Sequence, residues 1–152
     1  AGVSEITLDI LTGAFEIDRT SILHDAGESI LEEIDKGQIV GGFIQGVGWC
    51  TTEMLKFDDK GNLLTNSPST YKIPTINIVP KVFNVDLLKN YENNKGINKS
   101  KATGEPPFLL SFSVWLAIKY AISSVGGHKK EPYFEIPATK EVILKSIKEI
   151  KQ

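Results

Sequence analysis

The stretch "SKATGEPPFLLSFSVWLAIKYAISS", residues 100–124, joins a charged turn to the most apolar run of the chain. Pro106 and Pro107 suit the first turn of a helix, where a proline lacks only an N–H that has no intrahelical partner. From Phe108 to Ile122 nearly every helical face is apolar. That predicts a helix over 107–124, buried on most sides, with its first turn buried as well. Glu105 stands at its mouth, fixed by Gly104 on one side and two prolines on the other. A carboxylate there is either a plain N-terminal cap that balances the helix dipole or a rigid group facing a cavity, available as a general base.

A helix this apolar needs partners, and the rest of the chain offers them. Alternation in "VSEITLDI" (residues 3–10), a turn at "LTG" and a return strand in "AFEIDRTSIL" predict a β-hairpin. "DAGESILEEIDKG" (25–37) reads as a short helix capped by Ser29 or Asp25 and stopping by Gly37, before a longer helix in "GQIVGGFIQGVGWCTTEML" (37–55). A second hairpin with its turn at 59–61 follows, then a strand over 82–88 and a polar loop over 89–104. The terminal "ATKEVILKSIKEIK" (138–151) is amphipathic, with Val142, Ile143, Ile147 and Ile150 at helical spacing. The expected fold class is α+β: a single domain over 1–152, in which antiparallel strands and hairpins pack with three or four helices.

Composition narrows the function. The 152 residues are 41% apolar, which supports one core. A formal charge of −2 offers no basic stripe for nucleic acid. One cysteine, Cys50, permits no internal disulfide, no Cys-ligated iron–sulfur cluster and no Cys-rich zinc site, and its usage fits a reducing cytoplasm. The two histidines, His24 and His128, lie far apart in sequence, so no metal ligand is expected from the chain's own side chains. Ser111, Ser113 and Lys119 interrupt the apolar run, so no membrane span is expected. The start within a strand pattern, without methionine, suggests a fragment or processed chain.

Five glycines fall within residues 37–48. Each costs about 1 kcal/mol against alanine in a helix interior, which implies a close approach to the backbone. Gly41 and Gly48 share a face, as do Gln38 and Gln45, each pair being two turns apart. Gln38 lies in the first turn of the predicted helix, and its amide both donates and accepts, which suits a pterin-like heterocyclic edge or a phosphate. Tight helix packing, with the glutamines bonded to backbone, fits the same pattern. The lysine and hydroxyl of a phosphate loop are missing.

Taken together and in this order, "GQIVGGFIQGVG", "STYKIP" and "SKATGEPP" resemble the C-terminal part of the molybdopterin-binding large subunit of the xanthine dehydrogenase/aldehyde oxidase family. The opening hairpin and the terminal helix resemble that family too, so the likeness covers essentially the whole chain. The resemblance implies an oxidoreductase: a molybdenum hydroxylase acting on a purine, another N-heterocycle or an aldehyde, with water as the oxygen source. It implies Glu105 as the catalytic general base toward the molybdenum-bound hydroxyl. Gln38, Gln45, Lys101 and Gly104 are implied as cofactor-binding positions. The implied cofactor is molybdenum held by a pterin dithiolene, with iron–sulfur clusters and FAD on other domains or subunits. Implied partners are the remainder of the molybdenum subunit, those electron-transfer domains and a small-molecule substrate, with no nucleic acid and no membrane. The family's subunit is several times longer. The isolated chain is therefore expected to be inactive and to self-associate through apolar surface beside the glycine helix and Phe108. The alternative function is a non-catalytic binding or assembly module that keeps the fold, and a weaker one is a nucleotide-binding domain using the glycine-rich helix.

Overall fold

The computed structural model describes residues 1–89 and 93–152; residues 90–92 of the expected polar loop lie outside the described residues. Strands β1 (Gly2–Leu8) and β2 (Phe15–His24) form the expected antiparallel hairpin, with a register shift between Glu5 and Ile6. Its turn closes through Asp9, whose amide donates to the Ala14 carbonyl at 2.8 Å and whose carboxylate accepts from Leu11 N at 2.9 Å and Thr12 Oγ1 at 2.6 Å.

Helix α1 runs unbroken from Glu32 to Thr51. The two helices expected on either side of Gly37 are one. Burial of Ile39, Phe43 and Val47 outweighs the propensity cost of a single exposed glycine, and Glu32, Glu33 and Asp35 complement the helix dipole in the first turn. Neither Ser29 nor Asp25 caps it: the N-cap is Leu31, without a side-chain hydrogen bond. The turn expected at 59–61 closes through one antiparallel bridge, Phe57 to Leu63, with Asp58 accepting from Lys60 N and Asn62 N.

Strand β3 (Val82–Leu87) lies beside β2 in parallel, giving a mixed sheet of order β1-β2-β3. The antiparallel expectation therefore holds for the hairpin and not for β3. Helix α1 carries the chain across the sheet, so β3 re-enters running the same way as β2. A 3₁₀ turn, Pro106–Ser111, leads into α2 (Phe112–Val125), and α3 (Lys140–Ile150) closes the domain with Thr139 as N-cap, accepting from Val142 N. The result is an α+β domain whose core joins Ile17 and Ile22 of β2, Ile39, Phe43 and Val47 of α1, Val114, Ile118 and Ile122 of α2, and Ile143, Ile147 and Ile150 of α3. A hydroxyl chain ties the sheet to α2: Ser4 Oγ lies 3.0 Å from buried Thr20 Oγ1 and 2.7 Å from Ser113 Oγ.

Helix α2 is less covered than its composition suggests. Only the stripe Val114, Ile118, Ile122 is fully buried; Phe112, Leu116 and Tyr120 are exposed, as is Leu109 in the preceding 3₁₀ turn. By length and composition Pro106–Val125 is apolar enough to cross a membrane, with mean hydropathy 1.6, so the serines and Lys119 do not take it out of that range. Here its buried stripe is part of the domain core, and Lys119 pairs with Glu131. Apolar exposure thus runs along α2 as well as beside the glycine helix, where Ile30, Leu31, Ile34 and Trp49 are exposed and Trp49 meets Phe108 edge-on, ring centroids 4.6 Å apart. Contiguous apolar surface drives association, and light scattering on the purified 152-residue chain is expected to show oligomers that grow with concentration. A strictly monomeric species at high concentration would count against this.

Candidate functional site

At 100° per residue, α1 presents three faces. Ile39, Phe43 and Val47 point to the core. Gly42 and Gly46 receive the turn that precedes α2. A Cβ placed on Gly42 would sit 2.7 Å from the Gly104 carbonyl oxygen. One on Gly46 would overlap the Phe108 carbonyl oxygen and sit 2.5 Å from Ser111 Oγ. Gly48 is filled in the same way by Pro74 and Glu53. These three glycines have the packing reason anticipated for them.

Gly37 and Gly41 do not. A Cβ on either would meet nothing within 4 Å. They share the third face of α1 with Gln38 and Gln45, all four exposed. No packing demand explains two glycines there, so the helix carries their propensity cost on a bare strip of backbone flanked by two amide side chains.

Residues 99–104 lie against the connection between β2 and α1. The Lys99 carbonyl accepts from Glu28 N at 3.1 Å, Ser100 bridges Gly27, and Lys101 N donates to the Ala26 carbonyl at 2.9 Å. The Ala102 carbonyl is 3.3 Å from His24 Nε2, and Thr103 Oγ1 donates to Asp35 Oδ1 at 3.4 Å. Asp35 also accepts from Ser29 Oγ at 2.6 Å. Gly27 has φ +63°, and a Cβ there would run into the Lys99 carbonyl, so the close approach of the two segments requires glycine. Lys101 Nζ is 2.6 Å from Asp25 Oδ2, each side chain about one-third exposed.

Glu105 follows. Its carbonyl accepts from Phe108 N at 3.0 Å and so opens the 3₁₀ turn, but its side chain makes no capping hydrogen bond and is exposed. The burial expected for this first turn falls instead on Pro107 and Ser111. A capping hydrogen bond from its side chain is thereby absent, and the carboxylate stands on a backbone whose preceding residues are held against α1 and the β2–α1 connection. Gln38 Oε1 is 3.8 Å from the position a Cβ on Gly104 would take, so Gln38 lies against the residue that precedes Glu105. Gln45 lies two turns further along the Gln38 face. Lys101 shares the loop, but its ammonium is engaged by Asp25. Sequence reasoning missed Asp35, Thr103 and His24 as supports and offered Asp25, with Ser29, only as a candidate helix cap; Asp25 followed two residues later by Gly27 was the available signal, since Asp25 Oδ1 accepts from Gly27 N at 2.9 Å. Cys50 is buried beside Ser111, at 3.7 Å, and burial pushes its thiol pKa up, away from nucleophilic use.

The third face of α1 also meets the requirements of a bound heterocycle. Two glycines leave room for a planar group against the peptide backbone, two primary amides offer donors and acceptors, and Gln38 lies against the residue that precedes Glu105. Among the described residues no three His, Cys, Asp or Glu side chains come together to hold a metal ion.

The hairpin and α1 are those of a molybdopterin cofactor-binding domain. The model of that family matches residues 1–80, which include the hairpin and the whole of α1, and the chain belongs to it. Among known proteins it is similar to xanthine dehydrogenase 2 of Arabidopsis thaliana, 46% identical over 154 residues that take in 94% of this chain and 11% of that protein. It is similar also to indole-3-acetaldehyde oxidase of Zea mays, 43% identical over 122 residues, 80% of this chain and 9% of that one. Among solved structures, quinoline 2-oxidoreductase of Pseudomonas putida 86 superimposes with a TM-score of 0.84 at 29% identity, over 95% of this chain and 18% of that chain. The chain thus spans about a tenth of the length of such curated relatives, 11% in the first case.

Proposed function

We propose that this chain is the part of a molybdenum hydroxylase that presents the general base and holds one edge of the pterin. The observation that carries the reading is an open strip of α1 at Gly37 and Gly41, with Gln38 against Gly104, the residue before an exposed and uncapped Glu105. When bound, the molybdopterin cofactor supplies a two-electron oxidant and activates the water-derived oxygen that is incorporated. The residues of this chain do the rest of their work around it. Gln38 and Gln45 donate to and accept from the heterocycle, while Gly37 and Gly41 allow it to lie against the backbone. The Gly104 peptide fixes the distance between that face and the base. Glu105 takes the proton from the attacking oxygen, which makes that oxygen a competent nucleophile toward an electron-poor carbon.

The substrate class is a purine, another N-heterocycle or an aldehyde, a range that the names of the relatives support. Electrons leave through iron–sulfur clusters and FAD on other domains or subunits, and the remainder of the molybdenum subunit completes the pocket, all in a reducing cytoplasm. The 152 residues alone turn nothing over.

Two substitutions in the complete enzyme test the cofactor face. Gly41→Ala relieves about 1 kcal/mol of helix cost and meets no neighbour, and Gln38→Ala removes one exposed amide. Both variants are expected to fold as well as the wild type, yet to retain several-fold less molybdenum by metal analysis. Full molybdenum content in both would make this face ordinary surface and overturn the reading.

A further inference from the structure

From Lys99 to Gly104 every residue has its own partner on the last residue of β2, on the β2–α1 connection or on α1, and Glu105 is the first residue beyond that series. Within the series Lys101 is distinct. Its backbone N–H and its ammonium both bind the same short segment, at the Ala26 carbonyl and Asp25 Oδ2. Its stem crosses the segment too, for a Cβ on Gly27 would sit 3.2 Å from Lys101 Cγ. The side chain is therefore laid across Gly27 toward Asp25. A partly buried ion pair of this kind constrains both partners more than an exposed one. Asp25 is itself fixed by the Gly27 amide at 2.9 Å.

We infer that Lys101 is a positioning residue, acting on the reaction through Asp25 by fixing the turn that carries Glu105, and that it is not a cofactor contact. The inference rests on Glu105 being the base. The chain of transmission is short: Lys101 is held, Ala102 and Thr103 are held by His24 and Asp35, Gly104 sits on Gly42, and the carboxylate follows. An error of about 1 Å in such a group lowers rates by up to about 10²-fold without changing what is bound.

The test uses the complete enzyme and the variants Lys101→Met, Asp25→Asn and their combination. Asparagine at 25 keeps the acceptor for Gly27 N and removes the charge. Each single variant is expected to lower kcat about 10- to 100-fold, with KM and molybdenum content unchanged, and the double variant is expected to be no worse than the worse single, as for two groups acting as one. Amide hydrogen exchange across 99–105 is expected to quicken equally in all three. Loss of molybdenum from Lys101→Met but not from Asp25→Asn, or multiplicative effects in the double variant, would overturn the inference. Should Asp25→Asn not fold, Lys101→Arg and Lys101→Gln decide: arginine is expected to restore most of kcat and glutamine to lower it with molybdenum in place, and loss of molybdenum from both would overturn the inference. Glu105→Gln is assayed alongside. Full turnover there would remove the base, whereas the coupling of Lys101 to Asp25 is still read from amide exchange, so the two failures are distinguishable.

Discussion

Glu105→Gln in the complete enzyme is expected to lower turnover about 10²–10⁴-fold, the usual effect of removing a general base, while molybdenum content and thermal stability stay at wild-type values. The separation follows from the geometry. The side chain makes no capping hydrogen bond and is exposed, so an amide of the same shape deprives the fold of nothing. The amide cannot take up the proton that the carboxylate would. Near-normal turnover with molybdenum bound would eliminate Glu105 as the base. A fall in stability or metal content would place its role in the fold or in cofactor retention.

The second large effect is on stability, and its sign depends on which glycine of α1 is changed. Gly46→Ala puts a methyl group onto the Phe108 carbonyl oxygen and 2.9 Å from Ser111 Cβ. Backbone cannot move aside cheaply, and overpacking of this kind costs about 1–3 kcal/mol, more than the roughly 1 kcal/mol that alanine returns as a helix former. A urea melt of the 152-residue chain is expected to show a clear loss for Gly46→Ala and a small gain for Gly41→Ala. Because Phe108 follows Glu105 by three residues, Gly46→Ala in the complete enzyme should also depress turnover by tilting the 3₁₀ turn. Equal stability changes at the two positions would show that the sorting of the glycines is wrong.

Much of this was legible in the sequence. Alternation gave the hairpin, helical spacing gave α3, and "GEPP" marked Glu105 as the candidate base. What remained hidden depends on contacts between distant segments. The pattern of α1 contains both a packing explanation and a ligand explanation for its glycines, and only the placement of Gly104 and Phe108 against Gly42 and Gly46 separates the two sets. The single helix through Gly37 was misread because local propensity was weighed without the burial of Ile39 and Phe43. The direction of β3 is invisible to alternation, which is the same for parallel and antiparallel neighbours of a half-buried strand. The exposure of Leu116 and Tyr120 was missed for a different reason: composition says how apolar a helix is and not which of its faces the rest of the domain reaches.

The ion pair between Asp25 and Lys101 closes across 76 positions of the chain. Contacts that distant form late, since the loop between them must be ordered before they are rewarded. The carboxylate is thus correctly placed only after hairpin, α1 and β3 have all assembled, whereas the glutamine face of α1 needs only the helix and its support. On the proposed function, a partly folded chain would offer the glutamine face of α1 before Glu105 is in register, and a chain arrested midway would be silent rather than aberrantly reactive.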